Sequence, residues 1–140
     1  EILLSHVLEH LGQETDVYLG ILKELYRVCK NGAQITINVP HPRHDDFLGD
    51  PTHVRVVTPE SLSLLSKEDN HKWVEDGAAN TPLGIYLDVD FVISKLIYTP
   101  DPSWQNQLND KSISEEDFML AARKYNNVVK EYIIVLDVIK

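Results

Sequence analysis

The first forty residues place one amphipathic helix between two short apolar runs, and this order constrains the fold more than any other feature of the sequence. Residues 2–4 are apolar and precede the polar Ser5, which predicts a buried strand that ends there. Residues 16–30 repeat apolar side chains every three or four positions and predict a helix that Gly32 ends. Residues 34–39 alternate apolar and polar side chains and predict a second strand. A strand, helix and strand with short joints are typical of a right-handed parallel crossover, so we expect an α/β sheet.

Farther along the chain, the pattern predicts two more strands and two more helices. Thr58 followed by Pro59 is typical of a helix start, and this helix is predicted to end near residue 67. Residues 66–84 are polar and are predicted to form a long loop. The remaining predicted elements are strands over about 87–98 and about 128–139 and, between them, an insertion at about 100–127 that carries one helix. We expect residues 1–140 to be part of one domain.

Composition excludes several classes of function. The chain has 140 residues, 43% of them hydrophobic, and 22 acidic against 13 basic side chains give a formal net charge of −9. Such a surface repels a polyanion, so we expect no DNA partner. The single Cys29 cannot form an intramolecular disulfide, and no apolar run reaches the roughly 20 residues of a membrane span. These features indicate a cytoplasmic protein without a membrane partner. The start at Glu1, without Met or a basic segment, is not a signal peptide.

The residues whose side chains could take part in catalysis or metal binding are concentrated in two segments. The loop of residues 41–55 is rich in His and Asp, and His44, Asp45 or His53 is expected to act as a general base. The alternative is that Asp50, Thr52 and His53 form a hydrogen-bonded turn while His41 and His44 are solvated.

A second segment, His6 to His10, fits the pattern H-x-x-E-H of zinc peptidases. That pattern requires a long helix, whereas this segment follows a strand-like run and precedes Gly12, so we expect no peptidase geometry. The six glycines are at least seven residues apart, so the chain contains no glycine-rich turn for phosphate.

Taken in order, these motifs resemble the second half of a class I S-adenosylmethionine-dependent methyltransferase. The matching segments are residues 5–11 (SHVLEHL), 22–32 (LKELYRVCKNG), 35–40 (ITINVP), 49–55 (GDPTHVR) and 58–62 (TPESL). The resemblance implies a Rossmann-like sheet of which only the second half is present: parallel strands, a final antiparallel hairpin and flanking helices. It also implies that the chain begins at the fourth strand and, lacking the glycine-rich turn and the acidic residue for ribose, binds S-adenosylmethionine weakly by itself.

The resemblance also assigns roles to individual residues. Ser5, His6 and Val7 correspond to residues on the methionine side of the cofactor. Some related enzymes bind a divalent metal through E-x-x-E-H, and the matching positions are His6, Glu9, His10 and His53. Because His6 replaces a carboxylate, affinity for a hard ion such as magnesium is reduced.

Three functions remain open at this point. The first is methyl transfer to a small-molecule or other acceptor by an enzyme of which this chain is the C-terminal part. The second is a binding module with a methyltransferase-like fold and no cofactor. The third is a metal-dependent hydrolase that uses the His cluster. An open sheet edge, where further strands would pair, also predicts a homodimer or aggregation of this chain alone.

Overall fold

The computed structural model describes all 140 residues, and its four strands form a single mixed sheet. In chain order the strands are β1 (Ile2–Ser5), β2 (Gln34–Pro40), β3 (Phe91–Pro100) and β4 (Val129–Val138). Their order across the sheet is β1-β2-β4-β3. The pair β1–β2 is parallel, whereas β4 runs antiparallel to both β2 and β3. The predicted parallel crossover and the final reversed hairpin are therefore confirmed.

Seven helices connect these strands. They are α1 (Thr15–Val28), α2 (Asp45–Leu48), α3 (Pro59–Ser63), α4 (Lys67–Glu75), α5 (Leu83–Leu87), α6 (Pro102–Asn109) and α7 (Glu115–Lys124), and a 3₁₀ turn spans Leu8–His10. Helix α1 ends at Val28 and Cys29 follows in an extended conformation, so the prediction that this helix continues to residue 30 and is ended by Gly32 is wrong. Gly32 lies in the turn before β2, with a φ of 74°. The helix start at Thr58 is confirmed, because the Thr58 and Ser61 side chains each accept a hydrogen bond from the other residue's backbone N–H.

The core lies on one face of the sheet. Ile35 and Ile37 of β2 pair with Leu136 and Ile134 of β4, and all four side chains are buried in one cluster with Leu22 of α1. The opposite face carries the alternate residues of each strand, which are only partly buried. Burial of the first face provides the hydrophobic stabilisation of the sheet. Polar groups lie at the ends of the strands.

The first strand forms where predicted, but the prediction that it is buried is wrong. β1 lies at the edge of the sheet, where β2 is its one neighbour. Its side chains alternate between half-buried and exposed, and Leu3 is 64% exposed. The run of three apolar residues therefore forms an edge strand, and no strand pairs with its second side.

Two predictions about the later helices are wrong. Residues 66–84, predicted as a loop, contain α4 and the first two residues of α5, and residues 100–127 contain α6 and α7 in place of one helix. Helix α4 is mostly polar, so its sequence has little apolar periodicity, and the Ser66 side chain caps it by accepting from the Asp69 N–H. The third strand begins at Phe91, later than predicted, because Asp88 ends α5 in a left-handed conformation with a φ of 53°.

None of the helices has the length and apolar character that a membrane span requires.

Candidate functional site

The polar residues singled out in the sequence gather where the parallel strands β1 and β2 end. Residue His6 follows β1 with a φ of 53°, and its backbone N–H donates to the Asn38 carbonyl of β2. Its side chain is 52% exposed, and Nε2 lies 3.1 Å from an Oε2 of Glu131, near the start of β4. Ligands of α/β folds bind beyond the carboxyl ends of such strands, so this edge is the candidate site.

Glu9 is the most unusual residue of this edge. It lies on the 3₁₀ turn and is fully buried, yet neither oxygen of its carboxylate has a hydrogen-bond partner. Two imidazole nitrogens are near Oε1, His6 Nδ1 at 3.5 Å and His10 Nε2 at 4.0 Å, but neither makes a hydrogen bond to it. Because an unpaired buried carboxylate is costly, this group needs a cation or a proton nearby.

His10 and His53 are the two histidines of this cluster, and their Nε2 atoms have different neighbours. Nε2 of His10 lies 4.0 Å from Oε1 of Glu9, whereas Nε2 of His53 lies 3.7 Å from Oδ2 of Asp50. The Nδ1 atom of His10 lies 3.2 Å from the Thr52 carbonyl oxygen, and the Nδ1 atom of His53 lies 2.8 Å from the Phe47 carbonyl oxygen. A carbonyl can only accept, so in each ring Nδ1 carries a proton and donates. The backbone carbonyl of Glu9 accepts from the N–H groups of Val54 and Arg55 and so holds the loop against the turn.

Together, Glu9, His10 and His53 form a group that can hold a metal ion, with one ligand atom from each within 4.8 Å of the others. The structure thus brings together three of the four predicted ligands. The fourth, His6, lies closer to Glu131, at 3.1 Å, than to Glu9, at 3.5 Å. Nδ1–H groups that donate to carbonyls are the usual support of metal-binding histidines. Two imidazoles and one carboxylate suit a borderline transition ion such as Zn²⁺ better than Mg²⁺.

The zinc-peptidase pattern of the sequence has no structural counterpart. His6 precedes the 3₁₀ turn, which ends at His10, so the two histidines do not share a face of a long helix. The expectation that the H-x-x-E-H match lacks peptidase geometry is confirmed.

The loop after β2 is more ordered than its composition suggests. The predicted turn is present, since the Thr52 N–H and hydroxyl both donate to Oδ1 of Asp50. The idea that His41 and His44 are solvated is wrong, because both side chains are buried. Nδ1 of each ring accepts the backbone N–H two residues farther along the chain, and Nε2 of His44 contacts the Asp101 carboxylate, so both rings have hydrogen-bond partners within the protein.

Of the three predicted bases, His44 and His53 have rings that make hydrogen bonds within the protein, whereas the Asp45 carboxylate makes none. His44 accepts the Asp46 N–H at Nδ1 and contacts Oδ2 of Asp101 through Nε2, at 3.1 Å. Helix α2 begins at Asp45, which is exposed and whose carboxylate makes no hydrogen bond or ion pair within the chain.

Burial strongly affects His41 at the end of β2. Loss of solvation, helped by the charges of Arg43 and His44, lowers the pKa of His41 to about 4. Its Nδ1 accepts from the Arg43 N–H, and its ring lies 4.9 Å from that of Tyr132. His41 is therefore neutral at pH 7 and is a buried residue at this edge of the sheet, directly after β2.

The two arginines of residues 41–55 have different surroundings. The Arg43 guanidinium donates to the carbonyls of Ala122 and Arg123, so it caps the end of α7. Arg55 donates to the Gly12 carbonyl at 2.8 Å and stacks on Tyr18.

Sequence reasoning missed Glu131 and Asp101. Both are distant in sequence from their partners His6 and His44, and one acidic residue in a strand or before a helix carries no local signal.

Comparison with known proteins gives one informative match. No family model matches the chain, and no curated protein matches it. Among solved structures, it is similar to a SAM dependent methyltransferase from Archaeoglobus fulgidus, with a TM-score of 0.58 and 21% sequence identity over 96% of this chain. The chain spans 57% of that protein. The likeness shows the fold, a mixed α/β sheet with flanking helices that corresponds to part of a methyltransferase.

Proposed function

We propose that this chain is the C-terminal part of an S-adenosylmethionine-dependent methyltransferase that acts on a small molecule. The observation that carries the proposal is the likeness of the fold to the Archaeoglobus fulgidus methyltransferase, with a TM-score of 0.58 over 96% of this chain. The sheet of this chain has the strand order β1-β2-β4-β3, with β4 antiparallel to both neighbours. In this proposal Ser5, His6 and Val7 contact the methionine side of the cofactor. Ser5 is exposed, His6 is 52% exposed and Val7 is 38% exposed, so all three are open to a ligand at the end of β1.

The residues present fit only one side of S-adenosylmethionine. Ser5 and His6 offer polar atoms and Val7 an apolar contact, whereas the chain has no glycine-rich turn for the rest of the molecule. When bound, S-adenosylmethionine supplies the methyl group that leaves sulfur and joins the acceptor oxygen or nitrogen. The chain's own contribution is to align the acceptor and to remove its proton, the two tasks that an in-line displacement demands.

Asp45 is our proposed general base. Its carboxylate is exposed at the start of α2, next to the ordered loop after β2. His44 holds the loop by accepting from Asp46 and contacting Asp101, so we assign it a positioning role. His53 is held by the Phe47 carbonyl and belongs to the Glu9 cluster.

The test is binding of S-adenosylmethionine to the intact protein, measured by isothermal titration calorimetry, followed by a methyl-release assay. We expect saturable binding that His6→Ala weakens by about tenfold, with His71→Ala, an exposed histidine of α4, as the matched control. Asp45→Asn should lower turnover and leave cofactor affinity unchanged. Absence of cofactor binding would contradict the proposal and favour a binding module with this fold.

We also propose a divalent transition-metal site at Glu9, His10 and His53. The specific observation is the buried carboxylate without a hydrogen-bond partner, with ligand atoms of His10 and His53 within 4.8 Å of it and of each other. A metal ion there would supply the missing positive charge and would fix the loop of residues 41–55 to the end of β1. A metal-dependent hydrolase would need the same ligands, so metal content and methyl transfer are measured separately.

Elemental analysis and titration with Zn²⁺, Mn²⁺ and Mg²⁺ test the metal site. We expect one Zn²⁺ per chain, bound more tightly than Mg²⁺, and at least tenfold weaker binding in His10→Ala and in His53→Ala. His71→Ala again serves as the control. Equal binding by all four proteins would show that the ion binds elsewhere.

The open edge of β1 supports the proposed homodimer. β1 pairs on one side only, and Leu3 is exposed on it. Light scattering on the 140-residue chain is expected to give a dimer or larger species, and a monodisperse monomer would contradict the proposal.

A further inference from the structure

A cavity separate from the candidate site lies between helix α1 and the segment that leads into α3. Its volume is about 250 Å³, and Tyr18, Leu22, Arg55, Leu64 and Leu83 are among the residues that line it. We call it the Arg55 pocket. None of the residues assigned above to the cofactor, the base or the metal lines it.

The walls of the Arg55 pocket are mostly apolar. Seven of its eleven lining residues are hydrophobic, contributed by α1, the residues on either side of α3 and the start of α5. Ser61 also lines it, but its hydroxyl already donates to the Thr58 carbonyl and accepts the Thr58 N–H. The cavity is smaller than the roughly 300–1,000 Å³ of sites for drug-sized ligands, so it suits a small apolar body.

Arg55 brings a positive charge that no acidic group of the chain neutralises. None of the ion pairs in the structure includes Arg55, although the chain has a net charge of −9. Its Nη2 donates to the carbonyls of Gly12 and Gln13, its Nε is buried without a partner, and its Nη1 makes no hydrogen bond within the chain. The guanidinium lies 4.5 Å above the Tyr18 ring, which fixes its plane.

We infer that the Arg55 pocket binds a small monocarboxylic acid, with its apolar body among the leucines and its carboxylate on the Arg55 guanidinium. A guanidinium and a carboxylate form charge-assisted hydrogen bonds that an uncharged group cannot match. The Tyr18 hydroxyl does not compete for the positive charge, because burial raises the pKa of Tyr18 to about 12 and the phenol stays neutral. The inference concerns binding alone and does not depend on methyl transfer.

Paired ligands that differ only in charge provide the test. Hexanoate and hexanamide, and phenylacetate and phenylacetamide, are titrated into the intact protein without S-adenosylmethionine and followed by calorimetry. We expect saturable binding of the acids, with Kd on the order of 1 mM or tighter, and at least tenfold weaker binding of the amides. Equal binding of acid and amide, or no saturable binding of the acids, would overturn the inference.

Two variants separate the charge from the cavity. Arg55→Gln should abolish the preference for the acid over the amide. Because Arg55 also holds the Gly12 carbonyl, a second variant is needed that leaves the arginine in place. Thr81→Trp, at the exposed rim of the pocket, should reduce binding of both ligands at least tenfold, whereas Asn80→Trp, one residue outside the lining, should not. Unchanged acid binding in Thr81→Trp would place the ligand elsewhere and refute the inference.

Discussion

The unpaired carboxylate of Glu9 leads to a prediction in which the same substitution has opposite effects with and without metal. Glu9→Gln replaces a buried charge with a neutral group of the same shape. In metal-free protein, neither carboxylate oxygen has a hydrogen bond to lose, so the main effect is removal of the desolvation penalty. We expect the free energy of unfolding to increase by about 1–3 kcal/mol at pH 7.

With Zn²⁺ present, the order of stability should reverse. A ligand that binds only the folded protein adds about 2.7 kcal/mol at a concentration one hundred times its Kd, and the wild type should gain this amount. The glutamine variant loses the charged ligand of the Glu9, His10 and His53 group and should gain little.

Urea unfolding followed by circular dichroism, with EDTA or with Zn²⁺, measures both effects. Glu14→Gln, which changes an exposed carboxylate before α1, is the matched control and should change stability by less than about 0.5 kcal/mol in either condition. A loss of more than about 1 kcal/mol in metal-free Glu9→Gln would refute the reasoning, because the carboxylate would then have a stabilising partner within the protein.

Three further predictions concern stability. The pKa of His41 is lowered to about 4 in the folded protein, so as the pH decreases His41 is protonated in the unfolded chain before it is protonated in the folded one. The contribution of His41 to the free energy of unfolding is therefore complete above about pH 6.5 and falls by up to about 3 kcal/mol as the pH decreases to 4. Urea titrations across that range should show a smaller fall in His41→Asn, with His71→Asn as control, and equal slopes would contradict the assignment. Gly12→Ala should cost about 2–4 kcal/mol, since Gly12 has a φ of 66° and a Cβ there would lie 2.5 Å from the Tyr18 Cα. Gly20→Ala, in open space on α1, should instead stabilise by about 0.5–1 kcal/mol, and thermal melts that rank the two alike would refute this. Asn70 is fully buried, donates to the Leu64 carbonyl at 3.0 Å and accepts the Ile85 N–H at 3.2 Å, so Asn70→Ala should cost about 2–5 kcal/mol in a urea titration. Asn80→Ala, on an exposed residue, is the control, and an equal effect would contradict the role of Asn70.

The sequence predicted correctly those features that depend on residues close together along the chain, and it failed for features that depend on distant contacts. The crossover from β1 through α1 to β2 and the helix start at Thr58 were predictable. Periodicity and capping depend on residues within a few positions of one another, so the sequence alone determines them. Helices α4 and α5 escaped prediction because α4 has little apolar periodicity and part of its support, the contact of Asn70 with Ile85, spans fifteen residues.

The candidate site shows the same division. Similarity to a metal-binding pattern predicted the residues at positions 6, 9, 10 and 53 as ligands from the sequence alone. Only the tertiary structure decided that His53 meets Glu9 and His10, while His6 turns toward Glu131. Those contacts depend on the register of β4 beside β2 and on the two N–H groups that fasten the loop to the Glu9 carbonyl. Local sequence specifies neither, because both result from packing between segments that are distant along the chain.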